Sequence, residues 1–309
     1  MRRLVLSFLV LTLVAGTARG LVINGGTGTE NFTAPPGTGN PGFANVGDNG
    51  IYLGNYSGQF WVLTVTHIGA GSIVLNGNTY PAVSGSSIIV RNQDNSTTDL
   101  TLFRIASDPG LPNITLLSGA NPALNSTIRM VGDGRTEGAS TFTQWGITTN
   151  PGANDDVWTA GAGTDKSGYT TVAGAGMRWG DSRMSGTASY DIGTGVTSSF
   201  YMNYTSAAGR TMAQVGDSGG AAFYFNSGNS TWYLAGVLGA IGTFGSGQSP
   251  DNQPANTAVF GNVTLAASIP SYHSFITTAI PEPSTYAALA GALALLGTAW
   301  FRRRRTVAR

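Results

Sequence analysis

The chain has 309 residues, among them 45 glycines, 13 prolines, two histidines (His67 and His273) and no cysteine, with a formal net charge of +1. Without cysteine, neither disulfides nor a thiolate-bound metal can hold the fold, and two histidines are too few for a His-rich zinc site, so no metal and no cofactor is expected. Eight of the sixteen basic residues lie in the two ends (Arg2, Arg3, Arg19, residues 302–305 and Arg309). With Glu282 also set aside, the body keeps eight basic against fourteen acidic residues, which leaves no electrostatic footprint for nucleic acid.

Met1-Arg2-Arg3, the apolar run 4–14 and the small residues 15–18 read as a secretory signal peptide over residues 1–20. Signal peptidase would cut after Gly20, with Ala18 as the alternative. The apolar run is short for a bilayer span of about 20 residues, which weighs against a start-anchored membrane helix. From 21 to 279 almost no stretch carries a helical apolar period. Short Val/Ile/Leu/Tyr/Phe/Thr runs alternate with Gly, Asn, Ser and Pro, the pattern of an all-β domain.

Residues 21–49 are Gly/Pro/Asn-rich and predict an irregular approach. Strands are expected at 50–54 and 60–67, the second ending in His67, then at 72–75, 79–83 and 87–91. A turn cluster at 92–98 precedes the alternating run 99–105, which Asp99 opens; Asp94, inside the turn, is the competing carboxylate and is expected to be solvated. The Pro/Leu-rich stretch 109–122 reads as a crossing to a second half, with strands at 128–134, 177–180 and 198–204 and a loop-rich stretch at 146–164.

Val215-Gly216-Asp217-Ser218-Gly219-Gly220 follows. A serine on a glycine-flanked turn can sit where two backbone N–H groups converge, and preorganised donors stabilise an oxyanion by about 3–4 kcal/mol each. Such a serine needs a histidine base and a buried carboxylate. Gly180-Asp181-Ser182 repeats the first three letters but is followed by Arg183-Met184, and reads as a strand or turn without chemistry. A hairpin is expected over 221–225 and 231–239, with Gly239-Ala240-Ile241 as an open edge for a substrate backbone. Residues 272–278 predict a helix, on which His273 is a surface or capping residue.

The chain closes with Pro281-Glu282-Pro283, an apolar span at 285–301 and the arginines 302–305, a membrane segment with its basic end in the cytoplasm. This order resembles the PEP-CTERM sorting tail, here 280–309; a plain tail anchor is the alternative. The resemblance implies cleavage near Pro281-Glu282-Pro283 by an exosortase-type enzyme. It also implies transient anchoring in the inner membrane of a Gram-negative bacterium, then release to the envelope, surface or extracellular matrix.

The blocks WVLTVTHIG, DLTLFRI and GDSGG, in that order, resemble trypsin/chymotrypsin-like serine peptidases. The first departs from the commonest form, with Val65-Thr66 where two small residues are usual and Ile68 in place of a cysteine. The resemblance implies two six-stranded antiparallel β-barrels (about 43–120 and 121–270), with His67 as base, Asp99 as its orienting carboxylate and Ser218 as nucleophile. Gly216 and Ser218 supply the oxyanion-hole N–H groups, and Asp217 supports that loop through a buried ion pair or, alternatively, is a solvated turn residue. Residues 22–26 resemble the family's mature N-terminus, whose freed amine pairs with the aspartate of GDSGG. Met212 and Ala213 align with the base of the specificity pocket, where no acid stands, so cleavage after uncharged side chains of a protein or peptide is expected, with Gly239, Ala240 and Ile241 binding its backbone. The alternatives are an esterase using the same three residues and a non-catalytic β-rich surface or matrix protein.

Overall fold

The computed structural model describes residues 20–152, 154–174, 176–245 and 248–280, so the expected leader (but for Gly20) and sorting tail (but for Ile280) lie outside the described residues. Among the described residues no helix is long and apolar enough to cross a membrane. The fold is nearly all β.

A short strand β1 (Val22–Ile23) comes first. The first lobe holds β2 (Val46–Gly47), β3 (Gly50–Tyr56), β4 (Gln59–Thr64), β5 (Ile73–Leu75), β6 (Asn78–Tyr80), β7 (Ile88–Arg91) and β8 (Thr97–Ile105). Its hairpins are dictated locally. Ser57-Gly58 between β3 and β4, and Asn76-Gly77 between β5 and β6, place both loop residues at positive φ, the backbone of the two-residue turns whose twist matches their strands.

The second lobe contains β9 (Thr127–Gly132), β10 (Arg135–Glu137), β11 (Thr143–Thr148), β12 (Val157–Ala160), β13 (Lys166–Ala173) and β14 (Arg178–Tyr190). It continues with β15 (Thr197–Asn203), β16 (Thr211–Met212), β17 (Ala221–Asn226), β18 (Thr231–Gly242), β19 (Thr257–Val259) and β20 (Val263–Ser268). Six of these close a barrel in the order β14-β15-β20-β18-β17-β9. Its interior is filled by Ile128, Met130, Met184, Phe200 and Leu238. The last element among the described residues is helix α1 (Ile269–Ala279), capped by the Ser268 hydroxyl accepting from the Ser271 N–H, with Pro in its first turn.

One expectation needs correction. The first lobe is not a six-stranded barrel: β2-β3-β4-β8-β7 form an open five-stranded sheet, and β5-β6 pair only with each other. Ile73 and Leu75 pack that hairpin against Tyr52, Val62 and Phe103, so burial holds it in place of a continuous ladder. Strands of two or three residues are too short to close the ring. The stretch 146–164 is mainly loop, as expected, with β11 and β12 pairing across it within a five-stranded sheet, β10-β13-β11-β12 with β19 on β13.

A third core cluster joins the lobes. Leu63 and Leu102 from the first sheet meet Val131, Phe223 and Val237 from the barrel, sealed by Tyr272 and Ile276 of α1. Fully burying each of these side chains contributes about 1.5–3 kcal/mol. The seam so fixed is where β4, β8 and the loop before β17 converge.

Candidate active site

His67 sits on the turn just beyond β4, which the Ile68 and Gly69 N–H groups close onto the Val65 carbonyl. Asp99 is the third residue of β8, and Ser218 lies in the loop between β16 and β17. The structure brings all three side chains together. His67 Nε2 is 2.9 Å from Ser218 Oγ, and Nδ1 is 2.9 Å from Asp99 Oδ2 and 3.0 Å from Oδ1. The His67 backbone N–H also donates to Asp99 Oδ1, at 3.0 Å. Asp99 is fully buried, whereas the imidazole is a quarter exposed. An acceptor-only carboxylate on Nδ1 leaves Nε2 free to accept the hydroxyl proton. Asp94 stays in its turn, exposed and bonded to Ser96.

Two backbone N–H groups flanking Asp217 are without a partner. Those of Gly216 and Ser218 donate to no group among the described residues, whereas Asp217 N–H between them donates to the Gln214 carbonyl. Gly216 has φ +97°, and a Cβ there would lie 2.9 Å from Gly134 Cα, so this turn demands glycine. Unpartnered N–H groups two residues apart on a glycine turn are the type of donor pair an oxyanion needs.

Asp217 is buried rather than solvated. Its Oδ1 accepts from the Gly134 N–H (2.8 Å) and Oδ2 from the Gln214 N–H (2.7 Å), and the Leu21 N–H donates to it as well. Burial pushes this carboxyl up to about 7 against those hydrogen bonds, and Asp133 adds to the rise. Burial and then Asp48 push Asp133 itself up to about 6. No cationic side chain among the described residues pairs with Asp217, so the expected ion pair is replaced by backbone donors. The amide that reaches Asp217 is that of Leu21. The Ile23 N–H turns instead to Glu137 Oε2, at 3.1 Å.

A buried clasp fixes this N-terminal segment. Arg178, fully buried on β14, pairs with Glu137 at 2.8 Å and with Glu30, and donates to the Leu21 carbonyl. Residues 20–31 are thereby held on the barrel through partners far along the chain.

The cleft beside Ser218 has a volume of about 530 Å³. Ala213, Gly239, Ala240 and Ile241 line it, together with Val215 at the head of the glycine turn and Ile192, which no motif marked. Met212 does not. It is fully buried in β16, paired to Val22 of β1 and packed among Tyr169, Tyr204 and Ala258, because the N-terminal strand covers it. Residues 240–242 pair with β20 on one side, Gly239 sits in the bulge before them, and the ladder to β17 ends at Val237, so their other edge is open.

Gly180-Asp181-Ser182 lies within β14, where Asp181 forms a two-point bond to Arg129 (2.8 and 2.7 Å) and Ser182 is buried in the barrel wall. His273 lines a separate groove beside Tyr56 and Ile114. Three carboxylates, Asp155, Asp156 and Asp251, place oxygens within 4.8 Å of one another. Backbone N–H groups of Asn150, Asn154, Asp156 and Asp251 donate to the Asp156 and Asp251 carboxylates, and none of the three residues lines the cleft.

No family model matches the chain, and no curated protein does. Among solved structures, it is similar to the murine norovirus NS6 protease, an inactive C139A mutant, at 15% identity and TM-score 0.38, over 74% of this chain and 93% of that one. It is also similar to the Rv3671c protease in an inactive form, at 12% identity and TM-score 0.39, over 77% and 90%. The third is the passenger domain of the plasmid encoded toxin of enteroaggregative Escherichia coli, at 12% identity and TM-score 0.42, covering 73% of this chain but 21% of that one.

Proposed function

We propose that the chain is an exported serine endopeptidase that hydrolyses peptide bonds through an acyl-enzyme on Ser218. One observation carries the reading: a single imidazole lies 2.9 Å from a serine hydroxyl and 2.9 Å from a buried carboxylate, on its two opposite nitrogens. His67 Nε2 takes the Ser218 proton as Oγ attacks the scissile carbonyl, and Asp99 stabilises the imidazolium. The carbonyl oxygen, now negative, is held by the Gly216 and Ser218 N–H groups. His67 returns the proton to the leaving amine, and water attacks the acyl-enzyme by the same route in reverse roles.

The substrate backbone adds as a strand to the open edge at Gly239-Ala240-Ile241. The cleft offers Ala213, Leu238 and Ile241 to the side chain beside the scissile bond, which favours uncharged residues. Export by the leader and processing at Pro281-Glu282-Pro283 complete the reading. A cut after Gly20 converts the Leu21 N–H, already donated to Asp217, into an α-ammonium that supplies the missing cation.

The test incubates the full-length chain and its Ser218→Ala variant with a fluorophosphonate probe and with casein. Labelling and casein cleavage by the parent alone support the proposal. Labelling without cleavage of any peptide points to an esterase, and absence of labelling in a folded, processed parent overturns the catalytic reading.

A further inference from the structure

Asp99 has one hydrogen-bond donor that the reaction scheme above does not use. Tyr190, the last residue of β14, is buried, and its hydroxyl lies 3.1 Å from Asp99 Oδ2. Oδ1 is already occupied by the His67 N–H, and both oxygens face Nδ1. An ionised carboxylate only accepts, so the phenol donates. Burial first, then the neighbouring Asp99 charge, push the Tyr190 phenol well above its ordinary range, with a smaller push from Tyr272, which keeps it a neutral donor.

The chain has made room for this contact. A Cβ on Gly239 would sit 1.9 Å from the Tyr190 hydroxyl oxygen and 2.8 Å from Cζ, an impossible approach. The phenol therefore reaches Asp99 only because position 239 carries no side chain. The same Cβ would lie 3.5 Å from Asp99 Oδ2, so a hydroxyl placed there could reach the carboxylate once the ring was gone.

We propose that Tyr190 is a positioning residue for the reaction, holding the Asp99 carboxylate in the plane that His67 needs, in a slot kept open by Gly239. The proposal rests on the serine-peptidase reading of Ser218, His67 and Asp99. A buried carboxylate held by donors on one side only can rotate about its own bond, and the imidazole rotates with it. With Tyr190, each Asp99 oxygen has a donor besides Nδ1. The ring comes from β14 of the barrel, whereas Asp99 and His67 come from the first lobe, so the contact also ties the base to the lobe that carries Ser218.

The test uses the full-length chain with Tyr190→Phe, Gly239→Ala, Tyr190→Ala and the double variant Tyr190→Ala/Gly239→Ser. Tyr190→Phe is expected to lower kcat about tenfold with KM unchanged, the size of one hydrogen bond to a charged group. The acid limb of kcat/KM moves to higher pH, because a carboxylate relieved of one donor holds the imidazolium more tightly. Gly239→Ala expels the phenol without altering it and gives the same two changes. The double variant recovers several-fold over Tyr190→Ala alone, which loss of packing would not allow. Parental kcat and an unmoved pH profile in Tyr190→Phe overturn the proposal, as does a double variant no better than Tyr190→Ala. An inactive parent overturns the peptidase reading instead. In that event the far-downfield Hδ1 proton resonance of His67 decides for Tyr190: a shift in Tyr190→Phe supports the contact, and an unchanged frequency overturns it.

Discussion

Asp217 gives the sharpest prediction, because its charge should record whether the chain has been cut. While Gly20 is still joined to Leu21, this buried carboxyl is held at about 7, against an ordinary value of 3.8. The folded chain therefore keeps a proton that the unfolded chain has already released between these two values. Proton binding favours the folded state there, so stability present at low pH is lost as pH rises from about 4 to about 7. The full loss is on the order of 4 kcal/mol for a group with no exposure. A chain that starts at Leu21 places an α-ammonium where the amide was, which favours the ionised carboxylate and cancels the loss. Urea unfolding would be measured from pH 4.5 to 7.5 on both forms, each compared with its Asp217→Asn variant. The hydrogen bond lost in Asp217→Asn costs that variant a constant amount, so only the pH-dependent part of the difference reports the charge. In the uncut form the parent should lose about 3 kcal/mol of this relative to Asp217→Asn across the range; in the cut form it should lose almost none. Identical pH dependence in the two forms would refute the reasoning.

Met212→Ala should destabilise the chain by about 2–5 kcal/mol in urea yet leave its cleavage preference unchanged in a peptide library, since that side chain is buried beneath β1. Gly216→Ala should lower kcat by about 10²–10³, because the strained turn can no longer aim its N–H at the oxyanion. Arg178→Met leaves Glu137 buried and unpaired and should cost about 3–5 kcal/mol in the same unfolding assay. Ile241→Arg, which puts a cation on the cleft wall, should shift preference toward acidic side chains in a peptide library; an unaltered profile would remove Ile241 from the pocket.

His67, Asp99 and Ser218 could be picked out of the sequence because each stands at a strand end or a glycine turn, where local pattern speaks. The strand alternation around 50–64 and 99–105, and the hairpin after Ser218, were visible for the same reason. Met212 was misplaced because a single sequence does not show register: nothing in residues 211–212 says that Val22–Ile23 will pair with them. Tyr190 was invisible because the contact joins two positions without a motif, and the informative residue opposite it is a glycine. The sheet built from β10 to β13 was hidden by Gly, Thr and Asn content that also fits loops. Closure of the first lobe was overread, since strand count from a pattern does not reveal which short strands pair only with each other.

The clasp around Arg178 bears on when the machinery can exist at all. Leu21 and Ile23 find their partners at Arg178, 157 residues away, and at Glu137, 114 residues away, and β1 needs Met212. Contacts so distant in sequence close late, after local hairpins have formed. The first residues of the body to be made therefore wait for nearly the whole chain before they dock. Until then Asp217 has no Leu21 amide, so a nascent chain carries Ser218 without the finished turn around it.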